Sequence, residues 1–164
     1  LGAQVHLGTR ALDGTGERLE HEVERPRLGE RTLRAATRAE VLVVEVILPA
    51  GLPNAGSAYC SLEQKASGYA IAGAAAVVVI APDGSIAFAS VGVTGVSDTP
   101  YGASGVEGAL MGQKPSSALF AAAAEHAVDG KTVNSDIHAD RDYRAAMAKI
   151  QVRRALEAAF ARLS

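Results

Sequence analysis

The polar segment around His138 contains residue types that bind metal ions. Asp136 and Asp140 flank this histidine within the run Ser135–Asp140, and imidazole nitrogens and carboxylate oxygens are both common zinc ligands. A complete site needs further ligands from elsewhere in the chain, and the other three histidines lie in unrelated contexts. Because Ser and Asp are also preferred at helix N-termini, we interpret the segment as a capping loop and predict no metal site.

The sequence offers little for nucleophilic or phosphate chemistry. It contains no Gly-x-Ser-x-Gly motif, which in many hydrolases holds the nucleophilic serine on a sharp turn. The glycine-rich stretch Gly102–Gly105 lacks the Lys-Ser/Thr pair of a phosphate-binding loop, and we interpret it as a turn before a helix. Cys60 is the single cysteine, so the chain can form no internal disulfide. We expect this thiol to be buried and inert, in a cytoplasmic protein.

The segment Tyr59–Ala70 has the clearest potential for ligand binding. Its composition predicts the end of one strand, a short polar bend and the start of a second strand, and ligands often bind at such edges of a domain. Tyr69 could stack its ring on a planar ligand, and Lys65 could meet an anionic group. From the residues alone, the alternative stays open that Tyr69 is ordinary core packing and Lys65 a solvated turn residue.

Strands must hold this segment in place. Three central runs are predicted to be strands: Ser57–Leu62, the Ala- and Val-rich Tyr69–Ala81, and the alternating Ile86–Val96. The tight turn Pro82-Asp83-Gly84 joins the last two as an antiparallel hairpin. Further upstream, the patterns predict short strands at Gln4–Leu7 and Val41–Leu48, a turn region over 8–16 and an irregular loop or arm over 17–38.

Helical patterns follow the strands. Capping residues and glycines delimit three predicted helices, over residues 103–111, about 116–128 and 140–162. In the last helix we expect Tyr143, Met147, Ile150 and Leu156 to be largely buried, because they recur at helical spacing. Strands first and helices last, without βαβ alternation, predict an α+β fold. The expected architecture is an antiparallel sheet of three to four strands with about three helices packed on one face.

Composition and charge narrow the class of protein. With 48% hydrophobic and 21% charged residues, the chain can build a core and is not expected to be disordered. Its net charge of −2 argues against a nucleic-acid-binding protein. The most apolar stretch, Ala70–Ala81, is too short to cross a membrane, so we expect no membrane insertion. The start has no signal-peptide pattern, and Leu1 in place of Met suggests a chain cut from a longer protein.

An ordered set of motifs carries a family resemblance. Residues 59–70, YCSLEQKASGYA, match the pattern Y-x-K-x-x-x-(R/K)-x-G-D-(F/Y)-A with departures. One further match lies upstream, at 38–49, and four follow in register, at 91–100, 108–112, 135–144 and 152–156. Together they cover about 39–160 and resemble the C-terminal domain of the FAD-binding medium subunit of molybdenum hydroxylases, the carbon monoxide dehydrogenase and xanthine dehydrogenase family. No one of these motifs is specific, whereas their order is.

This resemblance implies a function in electron transfer. In complexes of this family a molybdenum cofactor in the large subunit hydroxylates the substrate. Electrons then pass through 2Fe-2S clusters in the small subunit to FAD in the medium subunit, which reduces an acceptor. The redox chemistry belongs to the cofactors, and the protein positions and tunes them. The expected partners are therefore the molybdenum-cofactor large subunit and the iron–sulfur small subunit, and the chain by itself is expected to be inactive, with no catalytic residue.

The resemblance also assigns cofactor-binding residues. The family's C-terminal domain adds a side wall to the flavin site through an Asp-(Phe/Tyr) pair and nearby basic residues. Tyr69 stands at the aromatic position of this chain, Gly68 replaces the acid, and Lys65 stands where a basic residue is common. Ser61 occupies a position that is often Lys. These four residues are the expected flavin contacts, and the departures at Gly68 and Ser61 imply that the flavin is held differently here.

Two functions from different classes stay open. The family holds FAD mainly through glycine-rich loops of its N-terminal domains, and these loops are absent here. We therefore interpret residues 1–38 as an arm or a remnant of the FAD-binding region and 39–164 as the flavoprotein C-terminal domain. The order of motifs favours a domain that helps to position FAD for electron transfer. Gly68 and Ser61 favour the alternative, a free-standing, non-catalytic interaction module that keeps the fold without binding FAD.

Overall fold

The chain divides into two compact units, residues 1–51 and 52–164. The computed structural model describes residues 9–12, 18–21 and 53–163. Nearly all of the second unit is therefore described, and it contains all of the expected flavin contacts.

The described part of the first unit is an antiparallel pair of short strands, β1 (Thr9–Leu12) and β2 (Arg18–His21). The turn region and the irregular loop predicted for these residues are therefore wrong at both positions. A strand of four residues depends on its pairing partner more than on its own composition, so a short window carries too little periodicity to reveal it. The strands predicted at 4–7 and 41–48 lie outside the described residues.

A four-stranded antiparallel sheet forms the centre of the second unit, in the order β3-β4-β5-β6. Its strands are β3 (Ala55–Glu63), β4 (Ala70–Ile80), β5 (Ile86–Thr94) and β6 (Tyr101–Gly102). The three predicted central strands are confirmed, and so is the hairpin that joins the second to the third across residues 82–84. The fourth strand is only two residues long and left no periodic pattern in the sequence.

Successive side chains along each strand point to opposite faces of this sheet, and the two faces differ in burial. One face consists of the rows Gly56–Val78–Ala89, Ala58–Ala76–Val91 and Cys60–Ala74–Val93, whose members are buried except for the half-buried Cys60. The row between the last two, Tyr59–Ala75–Gly92, lies on the opposite face and is exposed. The buried face is built from small and β-branched side chains, which let other elements approach the sheet closely.

Helices cover the buried face, as predicted. They are α1 (Ser104–Leu110), α2 (Ser117–Ala124), a 3-10 turn (Glu125–Val128) and α3 (Arg141–Ala161). Ser116 caps α2 by accepting a hydrogen bond from Leu119 N–H at 3.1 Å, and Asp140 caps α3 in the same way. The longest helix, α3, packs against β3 and β4, while α1 packs against β5. The α+β architecture predicted from the sequence is thus confirmed for the described residues.

The close approach of α3 to the sheet decides which of its side chains are buried. A Cβ on Gly56 would lie 1.9 Å from the Ala159 carbonyl oxygen, so backbone meets backbone at this contact. Three of the seven buried positions of α3 are alanines, and the full set is Arg144, Ala148, Gln151, Val152, Ala155, Leu156 and Ala159.

This geometry corrects the burial predicted for α3. Leu156 is fully buried, as predicted, but Tyr143 is 43% exposed and the prediction for it is wrong. Met147 and Ile150 are half-buried. Tyr143, Met147 and Ile150 each precede a buried position of α3, at 144, 148 and 151, by one residue, so they lie beside the stripe that packs against the sheet.

Within the described ranges, no helix combines the length and the apolar composition that a membrane span requires.

Candidate functional site

The polar bend between the first two central strands is a tight turn, called here the 64–69 turn (Gln64–Tyr69). The Gln64 N–H donates to the Tyr69 carbonyl at 2.8 Å, and the Gln64 carbonyl accepts from the Gly68 N–H at 2.8 Å. Gly68 has a φ of +71°, a left-handed conformation that glycine adopts without strain. A Cβ there would meet no atom within 4 Å, so backbone conformation rather than space favours glycine.

Two of the expected flavin contacts point from this turn into solvent. Tyr69 is 79% exposed, more than any other aromatic residue of the described part, so it does not belong to the core. Lys65 is exposed as well. Ser61 lies four residues earlier than Lys65 on β3 and is half-buried. Its hydroxyl donates to Glu63 Oε1 at 3.1 Å, so a neighbour on its own strand already engages it.

A second segment, the pre-helix loop (residues 131–140), is bonded to this turn. Gln64 Nε2 and His138 Nδ1 lie 3.1 Å apart, within hydrogen-bonding distance. The loop is anchored to the sheet end as well, because the Asn134 N–H donates to the Val96 carbonyl at 2.9 Å. The start of the 64–69 turn is therefore connected to a segment more than sixty residues away in the chain.

Arg144, in the first turn of α3, connects the same region from the buried side. The residue is only 5% exposed. Its Nη1 donates to the carbonyls of Ile71, at 2.9 Å, and Gly95, at 2.7 Å. Its Nη2 forms an ion pair with Asp136 Oδ2 at 2.5 Å. One guanidinium thus joins the start of β4, the residue after β5 and the pre-helix loop.

Asp136 organises the pre-helix loop. Its Oδ1 accepts from the N–H groups of His138, at 2.9 Å, and Ala139, at 3.1 Å. The backbone bond from His138, with the Arg144 guanidinium, lowers the pKa of Asp136 to about 2, because both favour the ionised carboxylate. Its partner at the end of the loop, Asp140, accepts from the Tyr143 N–H at 2.8 Å. The interpretation as a capping loop is therefore confirmed.

No metal centre is found among the described residues, where no three His, Cys, Asp or Glu side chains are grouped as ligands. A second histidine, His126, pairs with Asp129 at 2.7 Å, and both side chains are largely exposed.

Sequence reasoning missed the contribution of Arg144 and its pair with Asp136. One signal was present: Arg144 precedes Ala148 by four residues and Val152 by eight, so the three share one face of a helix. An arginine on a buried face must find acceptors for its N–H groups. The large apolar residues one position earlier predict a different buried face, and this hides the signal.

The geometry suits contact with one side of a planar ligand. Tyr69 offers an exposed aromatic face, and Lys65 offers a positive charge on the same turn. Both side chains are exposed in the part of the chain that the structure describes. An open cavity of about 600 Å³ lies elsewhere, around the end of the β4-β5 hairpin and the C-terminus of α3, and is lined by residues such as Ile80, Pro82 and Phe160. Ligands as large as a dinucleotide are normally enclosed over most of their surface, so the turn fits one wall of such a site.

Comparison with known proteins gives consistent matches. The model of the CO dehydrogenase flavoprotein C-terminal domain matches residues 57–159. The chain is 33% identical over 121 residues to the carbon monoxide dehydrogenase medium chain of Hydrogenophaga pseudoflava, covering 74% of this chain and 42% of that protein. It is 32% identical over 121 residues to the 6-hydroxypseudooxynicotine dehydrogenase complex subunit alpha of Paenarthrobacter nicotinovorans, covering 74% and 41%. The chain spans less than half of the length of these two relatives.

A solved structure has a similar fold. It is a carbon monoxide dehydrogenase from Hydrogenophaga pseudoflava that lacks the Mo-pyranopterin moiety of the molybdenum cofactor. The superposition has a TM-score of 0.76 at 28% identity and covers 99% of this chain and 54% of that one. The fold and the sequence matches thus agree on the same group of proteins.

Proposed function

The chain belongs to the CO dehydrogenase flavoprotein C-terminal domain family, and from that premise we propose that it forms one wall of the FAD site in the FAD subunit of a molybdenum hydroxylase complex. Tyr69 contacts the flavin ring, and Lys65 faces an anionic group of the cofactor. Gly68 and Ser61 lie at the margin of this contact. The domain helps to position FAD for electron transfer from iron–sulfur clusters to an acceptor.

The observation that carries this proposal is the exposure of Tyr69 on a turn fixed by distant segments. An aromatic side chain that is 79% exposed contributes little to the stability of this domain, because it buries little apolar surface. Its turn is nevertheless bonded to the pre-helix loop through Gln64 and His138. An exposed ring on a fixed support is the arrangement expected of a ligand contact.

The contribution of this chain is to bind and orient. FAD, when bound, supplies the electron-transfer chemistry. Tyr69 excludes water from one side of the ring and restricts its tilt, and an aromatic pair contributes about 1 kcal/mol beyond area burial. Lys65 stabilises negative charge on the cofactor with its ammonium group. Micromolar binding needs roughly 8 kcal/mol, so these contacts tune a cofactor that other parts of the subunit hold.

Two departures from the family pattern favour a second candidate function, a free-standing, non-catalytic interaction module. Gly68 brings no carboxylate to the turn, and the Ser61 hydroxyl already donates to Glu63, so two of the four expected contacts offer no free charge to a flavin. The same fold could then serve protein contacts without a cofactor. Binding measurements separate the two candidates.

The proposed partners are the molybdenum-cofactor large subunit and the iron–sulfur small subunit of such a complex, by analogy with relatives that are medium or alpha subunits. The proposed compartment is the cytoplasm, which suits a chain with one cysteine and no internal disulfide. In this function the isolated chain is inactive as an enzyme.

Titration with FAD tests the proposal in two steps. The chain by itself, followed by flavin fluorescence, is expected to bind FAD weakly or not at all. In a complete subunit that contains the FAD-binding part, Tyr69→Ala should shift the flavin absorption spectrum or midpoint potential while FAD occupancy is kept.

Tyr59→Ala is the matched control, because Tyr59 is also an exposed tyrosine, 55% accessible on β3, and lies outside the 64–69 turn. Stoichiometric micromolar binding by the chain alone would contradict the one-wall proposal. Equal flavin spectra and potentials in wild type and Tyr69→Ala would favour the interaction module.

A further inference from the structure

We propose that Arg144 is the positioning residue of the 64–69 turn: its buried guanidinium fixes the backbone on both sides of Tyr69 and so sets where the flavin-contact ring stands. The flavin consequence rests on the proposed function, whereas the control of the turn does not. Arg144 touches no ligand in this scheme, and it acts through other residues.

The guanidinium reaches the turn by a direct route. Its Nη1 donates to the Ile71 carbonyl at 2.9 Å, two residues after Tyr69. The same nitrogen donates to the Gly95 carbonyl at 2.7 Å. Gly95 has a φ of +78°, and a Cβ there would lie 2.3 Å from the Ala70 carbonyl oxygen. The residues that follow Tyr69 are therefore held between Gly95 on one side and Arg144 on the other.

A second route leads from Arg144 to the beginning of the turn. Its Nη2 binds Asp136 Oδ2 at 2.5 Å, and Asp136 Oδ1 accepts from the His138 N–H at 2.9 Å. The ring of His138 then lies 3.1 Å from Gln64 Nε2. The direct route fixes the backbone after the turn, and this indirect route fixes the beginning of the turn. The backbone on both sides of Tyr69 is therefore held by one side chain, that of Arg144.

Fold stability by itself does not account for an arginine at this position. Its Nε is buried and has no hydrogen-bond partner among the described residues, which carries a desolvation cost. Ala148 and Val152, which share its helix face, are apolar, and Gln151 is the other buried polar residue of α3. Replacing a buried ion pair by well-packed apolar residues is often neutral or stabilising. What an apolar residue cannot provide is the simultaneous connection of three acceptors in fixed directions.

Lysine cannot provide that connection either. Arg presents its N–H groups in a rigid planar fork, while Lys carries a compact ammonium on a flexible stem. Arg144→Lys therefore keeps the positive charge beside Asp136 and loses the directional bonds to the carbonyls of Ile71 and Gly95. This makes it a specific test of positioning rather than of charge.

Amide hydrogen exchange of the full chain, without FAD, measures the effect. In Arg144→Lys the amides of Gln64 and Gly68, both bonded inside the turn, should exchange faster by about an order of magnitude, because local opening follows local stability. The amides of Ala81 and Gly84, bonded inside the turn at the other end of β4, should keep their rates. The control variant is Arg154→Lys, the same change at an exposed position of α3, which should alter neither turn.

Two exchange results with Arg144→Lys would overturn the inference. Equal acceleration at both turns would show that Arg144 serves global stability only. Unchanged exchange at Gln64 and Gly68 in a folded Arg144→Lys protein would show that the turn holds itself. If Arg144→Lys does not fold, Asp136→Ala removes the indirect route alone, and faster exchange at Gln64 is then expected. An unchanged rate at Gln64 in that variant would also overturn the inference.

A flavin measurement in the complete subunit separates this inference from the proposed function. If Tyr69→Ala shifts the flavin midpoint potential, Arg144→Lys should shift it too, and Arg154→Lys should not. A shift with Tyr69→Ala but none with Arg144→Lys overturns the inference and leaves the proposed function standing. Faster amide exchange at the 64–69 turn alone, together with a flavin midpoint potential that Tyr69→Ala does not change, supports the positioning role of Arg144 and refutes the flavin contact.

Discussion

The two turns at the ends of β4 are held in different ways. The turn between β4 and β5, called here the 81–85 turn (Ala81–Ser85), closes on its own residues. Its Ala81 N–H donates to the Ser85 carbonyl at 2.8 Å, and Asp83 Oδ1 accepts from the Ser85 N–H and hydroxyl at 2.9 and 2.6 Å. The residues that flank the 81–85 turn have backbone bonds to other segments, from the Ile80 N–H to the Asn54 carbonyl at 3.1 Å and from the Ile86 N–H to the Gln113 carbonyl at 2.9 Å. The 64–69 turn also has internal bonds, but side chains tie it further: Gln64 bonds to His138 of the pre-helix loop, and Arg144 of α3 bonds to Ile71, just beyond the turn.

The difference indicates two roles: the 81–85 turn connects two strands, whereas the 64–69 turn also holds an exposed side chain in place. A turn that only reverses the chain needs bonds between its own residues, and composition is sufficient to specify them. A turn that must present a side chain in a fixed place gains from partners elsewhere in the fold. The 81–85 turn exposes no side chain larger than those of Pro82 and Asp83, whereas the 64–69 turn exposes the ring of Tyr69.

The largest expected effect is one that should loosen both turns alike. Leu156 is fully buried on α3, so Leu156→Ala should lower the free energy of unfolding by about 2–5 kcal/mol through lost burial and a cavity. Denaturant unfolding measures this loss, and hydrogen exchange should show similar acceleration at the two ends of β4. Loss of protection at one turn only would mean that the two ends unfold independently and would break the comparison.

A smaller effect tests whether the two turns respond equally when their left-handed glycine is replaced. Gly68 and Gly84 both have left-handed φ values, +71° and +81°, and a Cβ added to either would meet no neighbouring atom within 4 Å. Gly68→Asp and Gly84→Asp should each cost roughly 1 kcal/mol, the penalty of a left-handed non-glycine residue. Chemical denaturation of the two variants checks this. A clearly greater loss at residue 68 would show that the long-range ties are sensitive to the turn's own conformation.

The smallest expected effect is a dependence on acid. The pKa of Asp136 is lowered to about 2 from its usual 3.8 by the bonds from His138 and Arg144, so the folded state favours the carboxylate. Its stabilising contribution is complete above pH 3.8 and is lost as the pH falls through about 2. The gap in melting temperature between wild type and Asp136→Asn should therefore narrow over this window.

Asp83 provides the matched control for the acid experiment. The hydrogen bonds from Ser85 lower its pKa. Asp83 is nevertheless exposed, and among the described residues its side chain bonds only within its own turn. Asp83→Asn should change the melting temperature less than Asp136→Asn at neutral pH. A gap for Asp136→Asn that stays constant down to pH 2 would contradict the assigned ion pair.

Local patterns predicted much of the fold. The Pro82-Asp83-Gly84 turn between two apolar runs was sufficient to place the central hairpin, because turn chemistry acts over a few residues. Asp140 marked the start of α3 for the same reason. Thr9–Leu12 and Arg18–His21 were missed, since strands of four residues are defined by pairing rather than by periodicity. Tyr143 was placed in the core because the sequence does not show how closely α3 approaches the sheet.

The sequence by itself determined the order of elements, the turns that close locally and the motif order that assigns the family. It also singled out Tyr69 and Lys65, because residue type and position at a strand end are local properties. Only the tertiary structure decided that Arg144 is buried and that it links Asp136 to the carbonyls of Ile71 and Gly95. Such links join residues 49 and 73 positions apart, and they exist only after the sheet and α3 have packed together.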